Sequence, residues 1–360
     1  MKFNIENLVR ENIKRLKPYS SARDEFSGKA KIFLDANENS FGSPIDLLSP
    51  LGEGLGERYN RYPDPHQVEL KKVISLYKNM AVENIFLGNG SDECIDLLFR
   101  CFCVPGKDNT IICPPTYGMY EVSAHINDIE VRKISLKDNF QLDNNSIYKH
   151  IDERTKLIWI CSPNNPTGNR IDENDIQSLL RKFKGLVVVD EAYIDFSGRG
   201  YFMDQVHKFP NLVVLQTFSK AWGLASLRLG MAFASPEIIS ILNKVKPPYN
   251  ISGTTQQLVV KAIHKETKVN KAIKKLVVLR EMLSKELKEI DLIEHVYPSD
   301  ANFLLVKVKG AKEVYQHLLK NGIVVRNRSN IRLCEDCLRI TIGTAKENQR
   351  LIKELKTYLK

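Results

Sequence analysis

The chain has 360 residues, 43% hydrophobic and 27% charged, and its 53 lysines and arginines against 43 aspartates and glutamates give a formal net charge of +10. That length exceeds one small core and suits a large α/β domain with a smaller one appended, and the composition excludes disordered and collagen-like classes. The basic residues spread through helical segments such as 261–288 without aromatic interleaving, which reads as a solvated surface that helps to collect anionic substrates, with no nucleic acid partner expected.

Residues 1–19 carry Glu6, Arg10, Glu11, Lys14 and Arg15 and have no apolar core of signal-peptide length. No later stretch approaches the ~18 consecutive apolar residues of a membrane span, so a cytoplasmic protein with no membrane partner is expected. From 84 to 233, short apolar runs alternate with longer mixed segments. Buried strands are predicted at 85–87, 110–112, 157–160, 186–189, 212–215 and 230–233, with helices over 92–102 and 173–183 among the intervening segments. The alternation implies a mostly parallel sheet covered by helices, whose ligands bind at the carboxyl ends of the strands. Beyond Pro247-Pro248 a helical pattern runs over 254–290, broken near Thr267. It leads to strands at 303–308, 323–326 and 338–342 and a helix over 311–321, a second and smaller α/β unit joined by the N-terminal arm.

The seven cysteines, an odd number without a secretory signal, argue against a disulfide framework, and Cys94, Cys101 and Cys103 read as small core residues. Cys334-Glu335-Asp336-Cys337 is a lone C-x-x-C with no second pair at zinc-site spacing, and the seven histidines are scattered; no metal is expected.

Four stretches carry chemistry. Gly88-Asn89-Gly90-Ser91-Asp92-Glu93 follows a predicted strand and opens a helix, where glycines permit a tight turn, Ser91 can cap, and free N–H groups suit a phosphate. Ser162-Pro163-Asn164-Asn165-Pro166-Thr167-Gly168 sets an amide donor in a rigid turn beyond another strand. Asp190 ends the run 186–189, with Tyr193 following. Thr217-Phe218-Ser219-Lys220 precedes Arg228 and Gly230. A lysine among hydroxyls, an arginine nearby and an acid at a strand end are what pyridoxal phosphate chemistry requires: an amine for a Schiff base, a grip on phosphate, and a partner for the pyridine nitrogen.

In this order these motifs resemble the fold-type I pyridoxal phosphate aminotransferases. The narrower stretches Leu34-Asp35-Ala36-Asn37-Glu38-Asn39, Asn60-Arg61-Tyr62-Pro63-Asp64-Pro65, Pro115-Thr116-Tyr117-Gly118-Met119-Tyr120 and Lys246-Pro247-Pro248-Tyr249-Asn250 are similar to the class II, histidinol-phosphate aminotransferase branch. The resemblance implies a large domain with a mostly parallel seven-stranded sheet and a smaller α/β C-terminal domain. It divides the chain into an N-terminal arm (1–39), a pyridoxal phosphate-binding domain (40–250), and an interdomain helix with the small domain (251–360).

By resemblance, Lys220 binds the cofactor covalently, Asp190 pairs with its ring nitrogen, and Asn165 and Tyr193 hydrogen-bond its phenolic oxygen. Gly90, Ser91, Asp92, Thr217, Ser219 and Arg228 surround its phosphate, Tyr117 stacks on the ring, and Tyr62 reaches the phosphate from the neighbouring subunit of a homodimer with shared sites. Arg339 takes the substrate's anionic group, helped by Arg326 and Tyr19, with Asn37 at the border; Arg328 competes with Arg326. Trp222 and Ser226 stand where the family often has Phe and Gly or Ala. The implied reaction exchanges an amino group between histidinol phosphate and 2-oxoglutarate, giving imidazole acetol phosphate and glutamate, in histidine biosynthesis. An aromatic amino acid aminotransferase or a phosphothreonine decarboxylase of the same fold would use nearly the same cofactor residues, and a non-catalytic relative is disfavoured by the intact Lys220 and Asp190.

Overall fold

The computed structural model of the chain describes residues 3–17, 61–198 and 200–358. Among these, β1 (Ile85–Asn89), β2 (Asn109–Ile112), β3 (Glu130–Lys133), β4 (Thr155–Cys161), β5 (Leu186–Asp190), β6 (Leu212–Thr217) and β7 (Leu229–Phe233) form a seven-stranded sheet in the order β1-β7-β6-β5-β4-β2-β3. Only β7 runs against its neighbours. The six strands expected from apolar runs are all present. The seventh, β3, reads Glu-Val-Arg-Lys and is exposed at both ends, so no apolar run marks it; charge suits an edge strand, where it blocks further pairing.

Positions 157–161, 186–189 and 212–215 of the central strands are apolar because both faces are covered. Ile158, Ile160, Val187, Val189, Leu212 and Val214 enter one core, while Leu157, Trp159, Leu186, Val188, Val213 and Leu215 enter the core on the other side. Helix α3 (Ser91–Phe102) buries Cys94, Ile95, Leu98, Cys101 and Phe102 at three- and four-residue spacing in that second core, beside α4 (Met119–Ile126). Ser91 is the first helical residue rather than the cap. Gly90 takes the N-cap position, at φ 78°, with no side-chain capping bond.

The predicted helical run 254–290 is two helices, α8 (Gly253–Ile263) and α9 (Glu266–Lys288), parted at His264 and Lys265. The second sheet has the order β10-β11-β9-β8, all antiparallel: β8 (Ile293–Val296), β9 (Phe303–Val308), β10 (Arg326–Asn327) and β11 (Cys337–Thr341). Of the strand expected at 323–326 only Arg326 is in a strand, β10, which runs on to Asn327, and β8, half exposed, was not anticipated. Leu304, Val306, Leu338 and Ile340 pack with α9, α10 (Ala311–Lys320) and α11 (Ala345–Thr357) in a third core. The alternate residues Phe303, Leu305 and Cys337 face the core on the first sheet, which brings Arg339 to the same side. Among the described residues no helix is long and apolar enough to cross a membrane.

Candidate active site

The parallel register sets Asp190, the last residue of β5, beside Cys161 at the end of β4 and Leu215 on β6, two residues before Thr217. Asp190 is 3% exposed. Its Oδ2 accepts a hydrogen bond of 2.6 Å from Tyr120 Oη and its Oδ1 one of 3.0 Å from the Ala192 N–H. Burial raises the Asp190 carboxyl above its ordinary value, against the lowering by these two donors. A cation at this carboxylate would restore its ionised form.

The opposite end of the site is made of donors. Helix α3 starts there with its free N–H groups and positive dipole end. Arg228, itself in the left-handed region at φ 51°, receives the Gly90 N–H on its carbonyl at 2.8 Å and reaches Asp92 with Nη2 at 3.3 Å. Asp92 also accepts from Tyr117 Oη at 3.1 Å. Thr217 Oγ1 lies 3.0 Å from Ser219 Oγ and accepts the Ser219 N–H at 3.1 Å. A Cβ on Gly230 would come within 2.2 Å of Ser91 N and 2.3 Å of the Gly90 carbonyl carbon, so only glycine lets β7 pass under this cradle.

Between the two ends lies a cavity of about 150 Å³ lined by Ser91, Asp92, Tyr117, Asn165, Asp190, Tyr193, Thr217, Ser219, Lys220 and Arg228, together with Cys161 and Ala192, which the sequence did not single out. Lys220 is open to solvent as a residue, and its Nζ stands 5.6 Å from the Tyr193 ring centre. Desolvation first, and then Arg339, hold its amine below the ordinary lysine value. Asn165 Nδ2 lies 3.5 Å from Tyr193 Oη. An acid at one end, a phosphate-type cradle at the other and an amine between them fit pyridoxal phosphate, whose ring nitrogen and phosphate have those two characters.

On the second sheet Arg326 and Arg339 are direct cross-strand partners. Arg339 Nη1 donates to Asn165 Oδ1, and its guanidinium lies 5.2 Å from the Phe303 ring centre. The Nε atoms of Arg339 and Arg328 and the Ser329 hydroxyl are buried with no hydrogen-bond partner. Desolvation first, and then repulsion from Arg339 and Arg326, lower the Arg328 value; desolvation first, with repulsion from Arg326 and against the pull of Tyr193, lowers that of Arg339. Like charges set opposite one another on a sheet are destabilising, and orphaned donors are costly; an anion at this cluster relieves both.

Of the predicted cofactor set, Gly90 and Tyr62 do not line this cavity: Gly90 is the N-cap of α3, directly before Ser91, and Tyr62 stacks on Tyr249 of its own chain, ring centres 4.5 Å apart. Tyr19, Asn37 and the stretch 34–39 lie outside the described residues. Sequence reasoning missed Tyr120 as the partner of Asp190. Its one linear signal is its place three residues after Tyr117; Tyr117 precedes α4, Tyr120 lies in its first turn, and their rings meet edge to face at 5.5 Å.

The model of the family described as aminotransferase class I and II matches residues 29–355. The chain is 50% identical to a histidinol-phosphate aminotransferase of Cytophaga hutchinsonii, over 99% of this chain and 100% of that one. It is 51% identical to one of Parabacteroides distasonis, over 98% of each. The fold superposes on the crystal structure of the histidinol-phosphate aminotransferase from Clostridium acetobutylicum with a TM-score of 0.76 at 25% identity, covering 83% of this chain and 90% of that one.

Proposed function

The chain belongs to the aminotransferase class I and II family, and from that membership we infer that it moves an amino group between L-histidinol phosphate and 2-oxoglutarate, in the histidinol-phosphate transaminase reaction of histidine biosynthesis. The cofactor of the family is pyridoxal 5'-phosphate. When bound, it carries the amino group from one substrate to the next and accepts the electrons left behind when the α-proton departs. The observation that carries the reading is the meeting of Lys220 and Asp190 at one cavity whose far end is the α3 N-terminus with Arg228.

In this reading Asp190 holds the ring nitrogen, and Asn165 and Tyr193 donate to the phenolic oxygen. Tyr117 covers one ring face, and Gly90, Ser91, Asp92, Thr217, Ser219 and Arg228 seat the phosphate. Lys220 would hold the cofactor covalently through its amine, and its Nζ, when free, would be the base that takes the proton from the substrate α-carbon. Desolvation favours this step, because an amine held below the ordinary lysine value is more often the free base. Arg339 and its neighbours Arg326 or Arg328 take the phosphate of one substrate and the distal carboxylate of the other; guanidinium forks suit both. Tyr19 and Asn37 would complete that pocket.

A homodimer with shared sites is part of the proposal, with Tyr62 reaching the cofactor phosphate of the other subunit. So are a cytoplasmic location and a boundary near residue 250, supported by the first sheet lying within 85–233 and the second within 293–341. The reading is tested by Lys220→Ala: the expected outcome is a protein that has no turnover and never acquires the absorbance of covalently held cofactor, and retained turnover would sink the assignment.

A further inference from the structure

Tyr120 is fully buried, and two separate relations tie it to the site. Its hydroxyl donates 2.6 Å to Asp190 Oδ2, within the range of a charge-assisted bond. Its ring meets the edge of Tyr117 at 5.5 Å and 84°, and stacks on Trp159 at 5.0 Å and 18°. Trp159 is itself fixed, its Nε1 donating to Thr110 Oγ1 at 3.0 Å and its ring lying 5.1 Å from Phe99. A phenylalanine would serve the packing equally well. The hydroxyl is what a core-filling role leaves unexplained, because a buried O–H has a use only where it has a partner, and here the partner is the one acid at the base of the cavity.

We propose that Tyr120 is a positioning residue for the cofactor ring: its hydroxyl keeps Asp190 an oriented carboxylate opposite the ring nitrogen, while its ring backs Tyr117, which covers the ring face. The inference rests on the cofactor reading above. Burial alone favours the neutral acid at Asp190, and of the two donors on the carboxylate Tyr120 opposes this most. With the Tyr120 bond in place the proton shared between Asp190 and the ring nitrogen sits on the nitrogen. Without it, the pair shifts toward a neutral acid beside an unprotonated ring. The Ala192 N–H is the other donor on this carboxylate, and the charged groups acting on it are Asp92, which favours the neutral acid, and Lys220, which favours the carboxylate.

The test uses holoprotein loaded with pyridoxal phosphate labelled with ¹⁵N at the ring nitrogen. The wild type is expected to give a protonated-nitrogen signal throughout the neutral pH range. Tyr120→Phe is expected to move that signal toward the unprotonated value and to weaken cofactor affinity on the order of tenfold, the scale of one bond to a charged group. Trp159→Phe, which alters packing and keeps the hydroxyl, is expected to leave the signal in place. In an Asp190→Asn background Tyr120→Phe is expected to add nothing, because both act through one carboxylate. A wild-type signal and affinity in Tyr120→Phe, or an undiminished further loss in the double variant, would overturn the proposal. If Tyr120→Phe alone loses its cooperative melt, the double variant decides, since it leaves no buried charge without its donor. An Asp190→Asn protein that keeps the wild-type nitrogen signal would refute the cofactor reading itself, a different result from either.

Discussion

Asp190 and Glu191 are consecutive acids, 3% and 1% exposed, and their surroundings give them different work. Asp190 faces the cavity, while Glu191 turns away and accepts from the Phe202 N–H and, at 2.9 Å, from Gln216 Nε2, tying the end of β5 to β6. Burial pushes the Glu191 carboxyl from 4.5 up to about 7, against the pull of Phe202, Gln216, Lys78 and Arg170. The folded protein therefore holds this proton more tightly than the unfolded chain. The contribution is full below pH 4.5 and is lost as the pH rises to about 7, an effect on the order of 3 kcal/mol. Thermal melts across that window should fall more steeply with pH in the wild type than in Glu191→Gln; equal slopes would contradict the assignment. Such pairings are hard to read from a sequence. Lys220, Asp190, Asn165 and Arg228 were legible because each sits in a short motif whose residue types already imply the chemistry. Tyr120 and its acid are 70 residues apart, and only folding joins them. Arg326 and Arg328 lie two residues apart in one arginine-rich stretch, so sequence could not choose between them; in the structure Arg326 is on β10, Arg328 follows it, and of the two Arg328 carries the orphaned Nε.

At the scale of elements, the cofactor cradle depends on a crossing of backbones. Gly230 on β7 pairs with Gly88 on β1 and with Thr217 on β6, directly beneath the start of α3. Gly230→Ala would drive a Cβ into Ser91 N and the Gly90 carbonyl carbon, backbone atoms with no rotamer to escape into. We expect a loss of about 1–3 kcal/mol or more in stability, together with weaker cofactor binding, read by melts of the apoprotein and by cofactor titration. A variant as stable and as avid as the wild type would show that β7 does not constrain the cradle. The buried strands and amphipathic helices were legible because their patterns are strong, and boundaries moved by only a few residues. What escaped was weakly patterned: the charged edge strand β3, the half-exposed β8, and β10, whose predicted apolar run at 323–325 pairs with no strand among the described residues.

For the whole molecule, two sheets that the sequence presents as successive units meet in one core cluster, which holds Phe303, Leu305 and Cys337 together with Val187 and Val189. That meeting brings Arg339 to Asn165, and so joins the arginine proposed to hold the substrate to the cavity of Lys220 and Asp190. The proposed dimer completes the site from outside. Tyr62, 52% exposed, is offered at the surface beside Tyr249. Tyr62→Phe should raise the dissociation constant for the cofactor while leaving the subunit fold intact by circular dichroism; unchanged affinity would count against a shared site. The formal charge of +10 suits a protein that collects anionic substrates. The account's central claim, amino transfer with a phosphate held by the arginine cluster, is tested most directly by a single-turnover spectrum. Holoprotein is mixed separately with L-histidinol phosphate and with L-phenylalanine, no keto acid present, and conversion of the bound cofactor to its amine form is followed. Faster conversion at low histidinol phosphate is the predicted result, and a preference for phenylalanine would contradict it, leaving the chemistry of Lys220 and Asp190 but removing the phosphate from the arginines.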